Sequence, residues 1–168
     1  MLSSESTLVQ KPGSNYETIC INIREMQVDD LARVSELEEQ VFPNVRSKNN
    51  IADEVLENSL SFAYVVEKDH WVIGYAIFWR ADTEAHLVDF AVDKNHRRKK
   101  IGSSLLSYLI KDWKLRKVQT GHLEVRRSNL AARKMYLKYG FEVTGVRKNY
   151  YSKEKEDAIL MSISLRRA

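Results

Sequence analysis

The chain of 168 residues contains a single cysteine, Cys20, and this scarcity excludes two kinds of architecture. One cysteine can form neither an internal disulfide nor a zinc site built from cysteines. We expect Cys20 to be a small, buried or half-buried strand residue without a role in catalysis. The four histidines show no metal-ligand spacing, so the sequence predicts no metal site.

The sequence also lacks long hydrophobic runs and a strong excess of charge. No apolar stretch approaches the ~20 residues that a membrane-spanning helix needs, and Met1–Ser14 has no apolar core of a signal peptide. We therefore expect a cytoplasmic protein that does not act at a membrane. A formal net charge of +4 suits an anionic ligand but falls far below that of a dedicated nucleic-acid-binding protein.

No internal repeat and no linker to a second domain interrupts the chain, whose length is that of one domain able to bury a core. Residues 1–17 are rich in polar side chains and include the chain-breaking pair Pro12-Gly13. We therefore expect a flexible N-terminal tail over residues 1–17 and a single folded domain over residues 18–168.

Hydrophobic periodicity predicts alternating strands and helices over the folded domain. Isoleucines at every second position from Ile19 to Ile23 indicate the first strand, and apolar residues at helical spacing from Ile101 to Trp113 indicate the longest helix. The order of elements predicts an α/β or α+β fold in which a mixed sheet is flanked by helices. In chain order we expect a strand at 19–24, a helix from Asp29 or Asp30 to Phe42-Pro43, a short helix with Ile51 and Val55, a hairpin at 61–80, a strand at 85–92, a helix starting at Gly102-Ser103, a strand at 122–125, a helix from Ser128 or Asn129 to Tyr139, and strands at 141–146 and 159–165.

A strand, a basic loop and a helix follow one another over residues 92–103. The loop residues His96–Lys100 are all basic, and small residues follow at the expected helix start. Free backbone N–H groups at a helix start, together with nearby cations, suit a pyrophosphate group. The same segment also suits a solvated basic turn or a nuclear-import-like cluster, and it lacks the P-loop pattern.

Two side chains later in the chain, Glu124 and Tyr136, are candidate site residues by their residue type and position. Glu124 lies between Leu123 and Val125 in a short strand, so it points away from the face that these apolar neighbours bury. A carboxylate there can act as a general base or can form a structural salt bridge. Tyr136 lies on the following helix, where the residue type by itself indicates core packing with a tethered hydroxyl.

Together, the segments around Lys100, Glu124 and Tyr136 resemble the GCN5-related N-acetyltransferase (GNAT) superfamily, and most closely its RimI branch. Residues 97–102 occupy the frame of the superfamily's acetyl-CoA loop, Gln/Arg-x-x-Gly-x-Gly/Ala, although Lys100 replaces the first glycine. The resemblance extends over roughly residues 19–165. Its RimI-like motifs are Leu123–Asn129, Ala131-Ala132, Tyr136, Tyr139–Phe141, Arg147–Tyr151 and Glu156–Met161.

Two departures from the family pattern affect different parts of the expected site. If the backbone at Lys100 must adopt positive φ, a lysine there costs roughly 1 kcal/mol of strain; otherwise its ammonium group adds a cation beside the phosphates. Residues 44–47 read Asn-Val-Arg-Ser, whereas the RimI branch commonly has a Trp-Ser pair there. That region helps to shape the acceptor pocket in the family.

The resemblance implies transfer of the acetyl group of acetyl-CoA to a protein N-terminal α-amine, in the RimI branch the N-terminal alanine of a small-subunit ribosomal protein. It implies direct attack in a ternary complex, with Glu124 as proton acceptor and Tyr136 as proton donor. Asn149, Tyr150 and Tyr151 would line the acceptor side, unless they are surface residues packed on their loop. The implied cofactor-binding residues are Phe90, Ala91, Val92, Arg97, Arg98, Lys99, Lys100, Ile101, Gly102, Ser103 and Asn129.

Other functions remain open at this point. An enzyme of the same fold could acetylate a lysine side chain, a polyamine or another protein's N-terminus, or it could bind CoA without turnover. A non-catalytic basic module could bind RNA or ribosomes through residues 96–100. We expect no direct nucleic-acid binding, because no aromatic residues interleave with the basic cluster.

Overall fold

The computed structural model describes residues 5–9, 19–41 and 51–166. Within these residues the chain forms eight strands and four α-helices, in nearly the predicted order. No helix in these ranges is both long and apolar enough to cross a membrane. The elements are β1 (Glu5–Val9), β2 (Ile19–Glu25), α1 (Leu31–Val41), α2 (Ile51–Leu56), β3 (Ser61–Lys68), β4 (Trp71–Ala81), β5 (Glu84–Val92), α3 (Ile101–Leu115), β6 (Thr120–Arg126), α4 (Leu130–Lys138), β7 (Glu142–Tyr151) and β8 (Glu156–Ser164).

The chain forms two compact units, the first from residues 1–78 and 89–112 and the second from residues 79–88 and 113–168. The strand order is β1-β2-β3-β4 in the first unit and β5-β6-β8-β7 in the second. The end of β4 (residues 79–81) belongs to the second unit, and the end of β5 (residues 89–92) belongs to the first. In the first unit β2 pairs antiparallel with both β1 and β3. In the second unit β5 and β6 are parallel, whereas β8 pairs antiparallel with β6 and β7, so strand directions are mixed as predicted.

In the first unit, α1 and α2 bury their apolar residues with those of the strands. Val34 and Leu37 of α1 and Ile51 of α2 share a cluster with Val65 and Ile77. Full burial of an aliphatic side chain of this size contributes about 1.5–3 kcal/mol. The apolar residues whose helical spacing predicts α1 are therefore the residues that pack this helix against the strands.

In the second unit, the indole of Trp113 packs closely on β6. A Cβ atom at Gly121 would overlap the Trp113 ring, so glycine is required for this approach. Phe141 is buried beside it, and the two ring centroids are 6.5 Å apart. Leu123 and Val125 are buried on the same face of β6 as Gly121, which directs the intervening residues of the strand to the opposite face.

Two parts of the N-terminal prediction are wrong. Residues Glu5–Val9, in the tail expected to be flexible, form β1, because pairing with β2 uses backbone groups and needs no apolar pattern. Cys20 is exposed rather than buried, because it lies on the face of β2 opposite to its buried isoleucine neighbours. The rest of the tail and the predicted helix end at Phe42-Pro43 lie outside the described residues.

The predicted loop at residues 149–151 is instead the end of β7. This strand continues to pair with β8 past an irregular register between Arg147 and Tyr151. Nearly all of its side chains are exposed, so no alternation of apolar residues marks the extended strand in the sequence. In addition, α3 begins at Ile101, one residue before its predicted start.

Candidate active site

The basic loop between β5 and α3 has left-handed backbone at two non-glycine residues. Arg98 and Lys100 have φ values of 61° and 59°, whereas φ of the intervening Lys99 is not positive. Alternation of left- and right-handed residues is typical of anion-binding nests, in which backbone N–H groups converge. At Lys100 the structure therefore has the positive φ that costs a lysine roughly 1 kcal/mol.

The first turn of α3 adds backbone donors next to this loop. The amide of Ser104 donates to the carbonyl oxygen of Lys100 at 2.9 Å, which is the first hydrogen bond within the helix. The N–H groups of Ile101–Ser103 precede that bond and point out of the helix start. Together with the largely exposed basic side chains at 97–100, they fit a pyrophosphate group.

The start of the loop is anchored by the buried carboxylate of Asp93. It accepts hydrogen bonds from Arg33 Nη2 at 2.9 Å and from the Asn95 amide at 2.8 Å, and it lies 3.5 Å from His96 Nδ1. Burial alone would raise the pKa of Asp93, but these hydrogen bonds and the Arg33 charge hold it below its ordinary value. Because Arg33 belongs to α1, the ion pair ties the loop to that helix.

Phe90, Ala91 and Val92 form the end of β5 directly before the loop, as the sequence predicts. Ala91 is buried, and its two neighbours are half-buried. A Cβ atom at Gly74 of β4 would lie 2.9 Å from the Ala91 carbonyl oxygen, so the two backbones are very close here. Pairing of these residues with a pantetheine arm stays a prediction.

Glu124 lies on the polar face of β6, opposite to Leu123 and Val125, as the alternation predicts. Its side chain is 14% exposed, and Oε1 lies 2.7 Å from Arg147 Nη1. The Tyr150 hydroxyl donates to the same carboxylate, and this bond is the largest cause of a raised pKa of Tyr150. Glu124 is therefore a salt-bridged strand residue that is also partly accessible to solvent.

Tyr136 and Asn129 are placed by α4. Tyr136 is 5% exposed, and its ring centroid lies 5.7 Å from that of Phe141, so the ring belongs to the core. Asn129 caps the helix, because its Oδ1 accepts a hydrogen bond from the Ala132 amide at 3.2 Å. The predicted cap is confirmed, whereas the roles of both residues toward acetyl-CoA stay predictions.

The three predicted acceptor-side residues have different surroundings at the end of β7. The Asn149 amide donates to Asp157 Oδ1 at 3.1 Å. The Arg126 guanidinium lies 3.9 Å from the centroid of the Tyr151 ring, and burial is the main cause that raises the pKa of Tyr151 to about 12. Tyr151 thus packs against the Arg126 guanidinium. The Tyr150 hydroxyl is the group that donates a hydrogen bond to the Glu124 carboxylate on β6.

A second carboxylate site, not predicted from the sequence, lies in the first unit. The Tyr75 hydroxyl donates to Asp89 Oδ2 at 2.9 Å, and burial raises the pKa of Asp89 to about 6. The pKa of Glu38 on α1 is raised to about 7, first by burial and then by the charge of Asp89.

In the described ranges, no group of three or more His, Cys, Asp or Glu residues is arranged to hold a metal ion.

Sequence reasoning also missed two arginines that hold site carboxylates. Arg147 pairs with Glu124, and Arg33 pairs with Asp93. Each pair joins residues that are far apart in the chain, so no local pattern signals it. The apolar strand that ends directly before Asp93 is the one local sign of an anchored carboxylate at the start of the loop.

Comparison with known proteins relates this chain to acetyltransferases. Residues 27–141 match the acetyltransferase (GNAT) family model. The chain is 32% identical over 145 residues to the ribosomal protein bS18-alanine N-acetyltransferase of Escherichia coli, covering 85% of this chain and 97% of that enzyme. A crystal structure of that Escherichia coli acetyltransferase matches with a TM-score of 0.81 at 29% identity, over 88% of this chain and 96% of the other.

A further solved structure is similar in fold. It is a GNAT family acetyltransferase from Elizabethkingia anophelis with acetyl-CoA bound, with a TM-score of 0.73 and 21% identity. The match covers 86% of this chain and 98% of that one. These similarities confirm the predicted fold class, a mixed sheet flanked by helices.

Proposed function

This chain belongs to the acetyltransferase (GNAT) family and is an acetyl-CoA-dependent N-acetyltransferase of the RimI type; from that premise we propose that it acetylates the N-terminal alanine of a small-subunit ribosomal protein. The observation that carries the proposal is the partly accessible Glu124 carboxylate, bonded to Tyr150 on the polar face of β6. The bS18-alanine specificity of a relative supports the choice of acceptor. A ribosomal acceptor implies a cytoplasmic site of action and a protein partner.

Acetyl-CoA supplies the acetyl group as an activated thioester. The nest at Arg98 and Lys100 and the N–H groups of Ile101–Ser103 would hold its pyrophosphate, and the basic side chains at 97–100 would neutralise the charge. The backbone of Phe90–Val92 would pair with the pantetheine arm as an added strand does, and Asn129 would bond the same arm.

Acetylation of an α-amine requires a general base, but it does not require a carboxyl group with a strongly shifted pKa. An α-ammonium group has a pKa of about 7.7–8.0, so roughly a tenth of it is already free amine at neutral pH. A lysine ammonium, with a pKa of about 10.4, would be free in well under a thousandth. Glu124 accepts the remaining proton, directly or through a water molecule, and the free amine then attacks the thioester.

The other proposed roles follow from position and residue type. Tyr136 gives its hydroxyl proton to the leaving thiolate and regains a proton from the amine nitrogen as the amide forms; packing against Phe141 fixes the orientation of its ring. Asn149, Tyr150 and Tyr151 hold the acceptor peptide at the end of β7. The attack is direct, so no covalent enzyme intermediate forms and Cys20 takes no part.

The test is a CoA-release assay with two peptides of the same length. One begins with a free alanine and contains no lysine; the other has a blocked N-terminus and an internal lysine. We expect turnover of the first peptide alone. Turnover of the second alone would move the acceptor to lysine, and turnover of neither with acetyl-CoA bound would overturn the proposed acceptor.

A further inference from the structure

Two histidines lie beside Glu124 on the polar face of the second unit. His86 of β5 and His122 of β6 are register partners in a parallel strand pair, so their side chains project from the same face. Strands in such a pair are ~4.8 Å apart, which makes the two imidazoles neighbours. His122 precedes Glu124 by two residues on β6 and therefore shares its face.

The surroundings of His86 favour a neutral imidazole. Burial is the largest influence and lowers its pKa below the ordinary value of 6.5; the charges of His122 and Arg147 act in the same direction, and only the Glu124 carboxylate opposes them. The Trp79 ring of β4 also neighbours His86, and the two ring centroids are 6.3 Å apart. At neutral pH, His86 thus has an unprotonated nitrogen that can accept a proton.

The other neighbours of Glu124 cannot take a proton from it. The Arg147 guanidinium has only N–H donors and no acceptor. The raised pKa of Tyr150 keeps its phenol protonated near neutrality. Once Glu124 has accepted a proton, an imidazole is the neighbouring group with a vacant lone pair. A carboxylic acid is ordinarily a stronger acid than an imidazolium. The Glu124 carboxylate that the transfer regenerates favours the protonated form of His86.

We propose that His86 and His122 carry to solvent the proton that Glu124 removes from the acceptor α-ammonium group. This inference rests on the proposed function. One α-ammonium and one thioester become one amide, one thiol and one released proton. The ammonium N–H bond breaks as a carboxyl O–H bond forms on Glu124. That O–H bond then breaks as an N–H bond forms on an imidazole, and the imidazolium releases the proton to water.

The first experiment measures the coupling without any turnover. NMR titration of the imidazole Cε1–H signals gives the pKa of His86 in the wild-type protein and in Glu124→Gln. Because the Glu124 charge raises the pKa of His86, its removal is expected to shift that pKa downward. An unchanged pKa would overturn the proposal even if the enzyme acetylates its peptide as expected.

The second experiment measures the pH dependence of turnover in His86→Gln, His122→Gln and the double variant. We expect the double variant to lose about tenfold in kcat at neutral pH with the KM for acetyl-CoA unchanged, and to regain activity when imidazole is added to the buffer. The matched control is His70→Asn, because His70 is exposed in the β3–β4 turn with a φ of 62° that asparagine tolerates.

Two outcomes would contradict the proton-exit role. A double variant with wild-type kcat at every pH would show that the histidines are not needed. An equal loss at every pH without imidazole rescue would show a merely structural contribution. Failure of the wild-type enzyme on every α-amine peptide would instead refute the proposed function, and the NMR titration would still report on the coupling.

Discussion

Glu124 and Asp89 are both strand carboxylates, but their surroundings differ in charge. Glu124 faces a cation, because Arg147 lies 2.7 Å away, and it also accepts a bond from Tyr150. Asp89 accepts a hydrogen bond from Tyr75 at 2.9 Å and lies near enough to Glu38 to raise the pKa of that acid. The Arg147 cation stabilises the negative charge of Glu124, whereas the buried surroundings of Asp89 disfavour a negative charge there.

This difference teaches that a raised pKa does not by itself identify the base. A raised pKa is a common mark of catalytic acids and bases, and by that criterion Asp89, at about 6, would be selected. An α-amine that is already partly free needs only a carboxylate with an accessible path for the proton. We propose that Glu124 has such a path through the two neighbouring histidines, and we expect the raised pKa values of Asp89 and Glu38 to affect stability rather than catalysis.

The largest expected effect compares these two carboxylates directly. Glu124→Gln is expected to lower kcat by about 100-fold or more at neutral pH, because the proton acceptor is lost, while acetyl-CoA binding stays within about twofold. Asp89→Asn keeps an acceptor for the Tyr75 hydroxyl and is expected to change kcat less than about threefold. CoA release and calorimetric titration give both values. A larger loss in Asp89→Asn than in Glu124→Gln would reverse the assignment.

A smaller effect concerns stability and pH. Because the folded pKa of Asp89 is above its ordinary value, the unfolded chain loses this proton first as pH rises. The folded state is therefore penalised progressively between about pH 4 and 6, and the full penalty applies above pH 6.

We expect Asp89→Asn to be more stable than wild type by about 1–2 kcal/mol at pH 8, after allowance for the partial exposure of the site, and equally stable at pH 4. Thermal melting at the two pH values measures this difference. Glu38→Gln is the matched variant and should shift stability in the same direction. A loss of stability at pH 8 in both variants would contradict the assigned charge environment.

The smallest expected effect tests the cofactor loop. Lys100 has positive φ, so relief of strain in Lys100→Gly is expected to appear as about 1 kcal/mol of stability. Loss of one exposed cation is expected to weaken acetyl-CoA binding by no more than about threefold. Lys100→Arg retains both the charge and the strain and serves as the control. A lower melting temperature for Lys100→Gly would show that the left-handed lysine is not strained.

Local patterns in the sequence predicted the parts of the fold that local physics controls. The alternation around Leu123 and Val125 predicted both β6 and the direction of Glu124, because side chains alternate along a strand. Helical spacing predicted α3 in the same way. The extension of β7 was missed, since its exposed side chains carry no periodic signal.

The long-range pairs could not be predicted from the same patterns. The contact of Arg147 with Glu124 joins residues of β7 and β6, two strands that both pair with β8, and no local pattern in the sequence reveals it. The raised pKa values of Asp89 and Glu38 depend on burial and on contacts between distant segments. The family pattern marked Lys100 as a departure, but only the backbone could decide its sign of φ.

The central claim is that the enzyme acetylates an α-amine with Glu124 as the general base. Its most direct test uses one peptide that carries both a free N-terminal alanine and an internal lysine. Wild type and Glu124→Gln are incubated with it at neutral pH, and fragmentation mass spectrometry locates the acetyl group over time. We expect wild type to acetylate the α-amine alone, and Glu124→Gln to do so more slowly by about 100-fold or more. Acetylation of the lysine, or equal rates for the two proteins, would contradict this central claim.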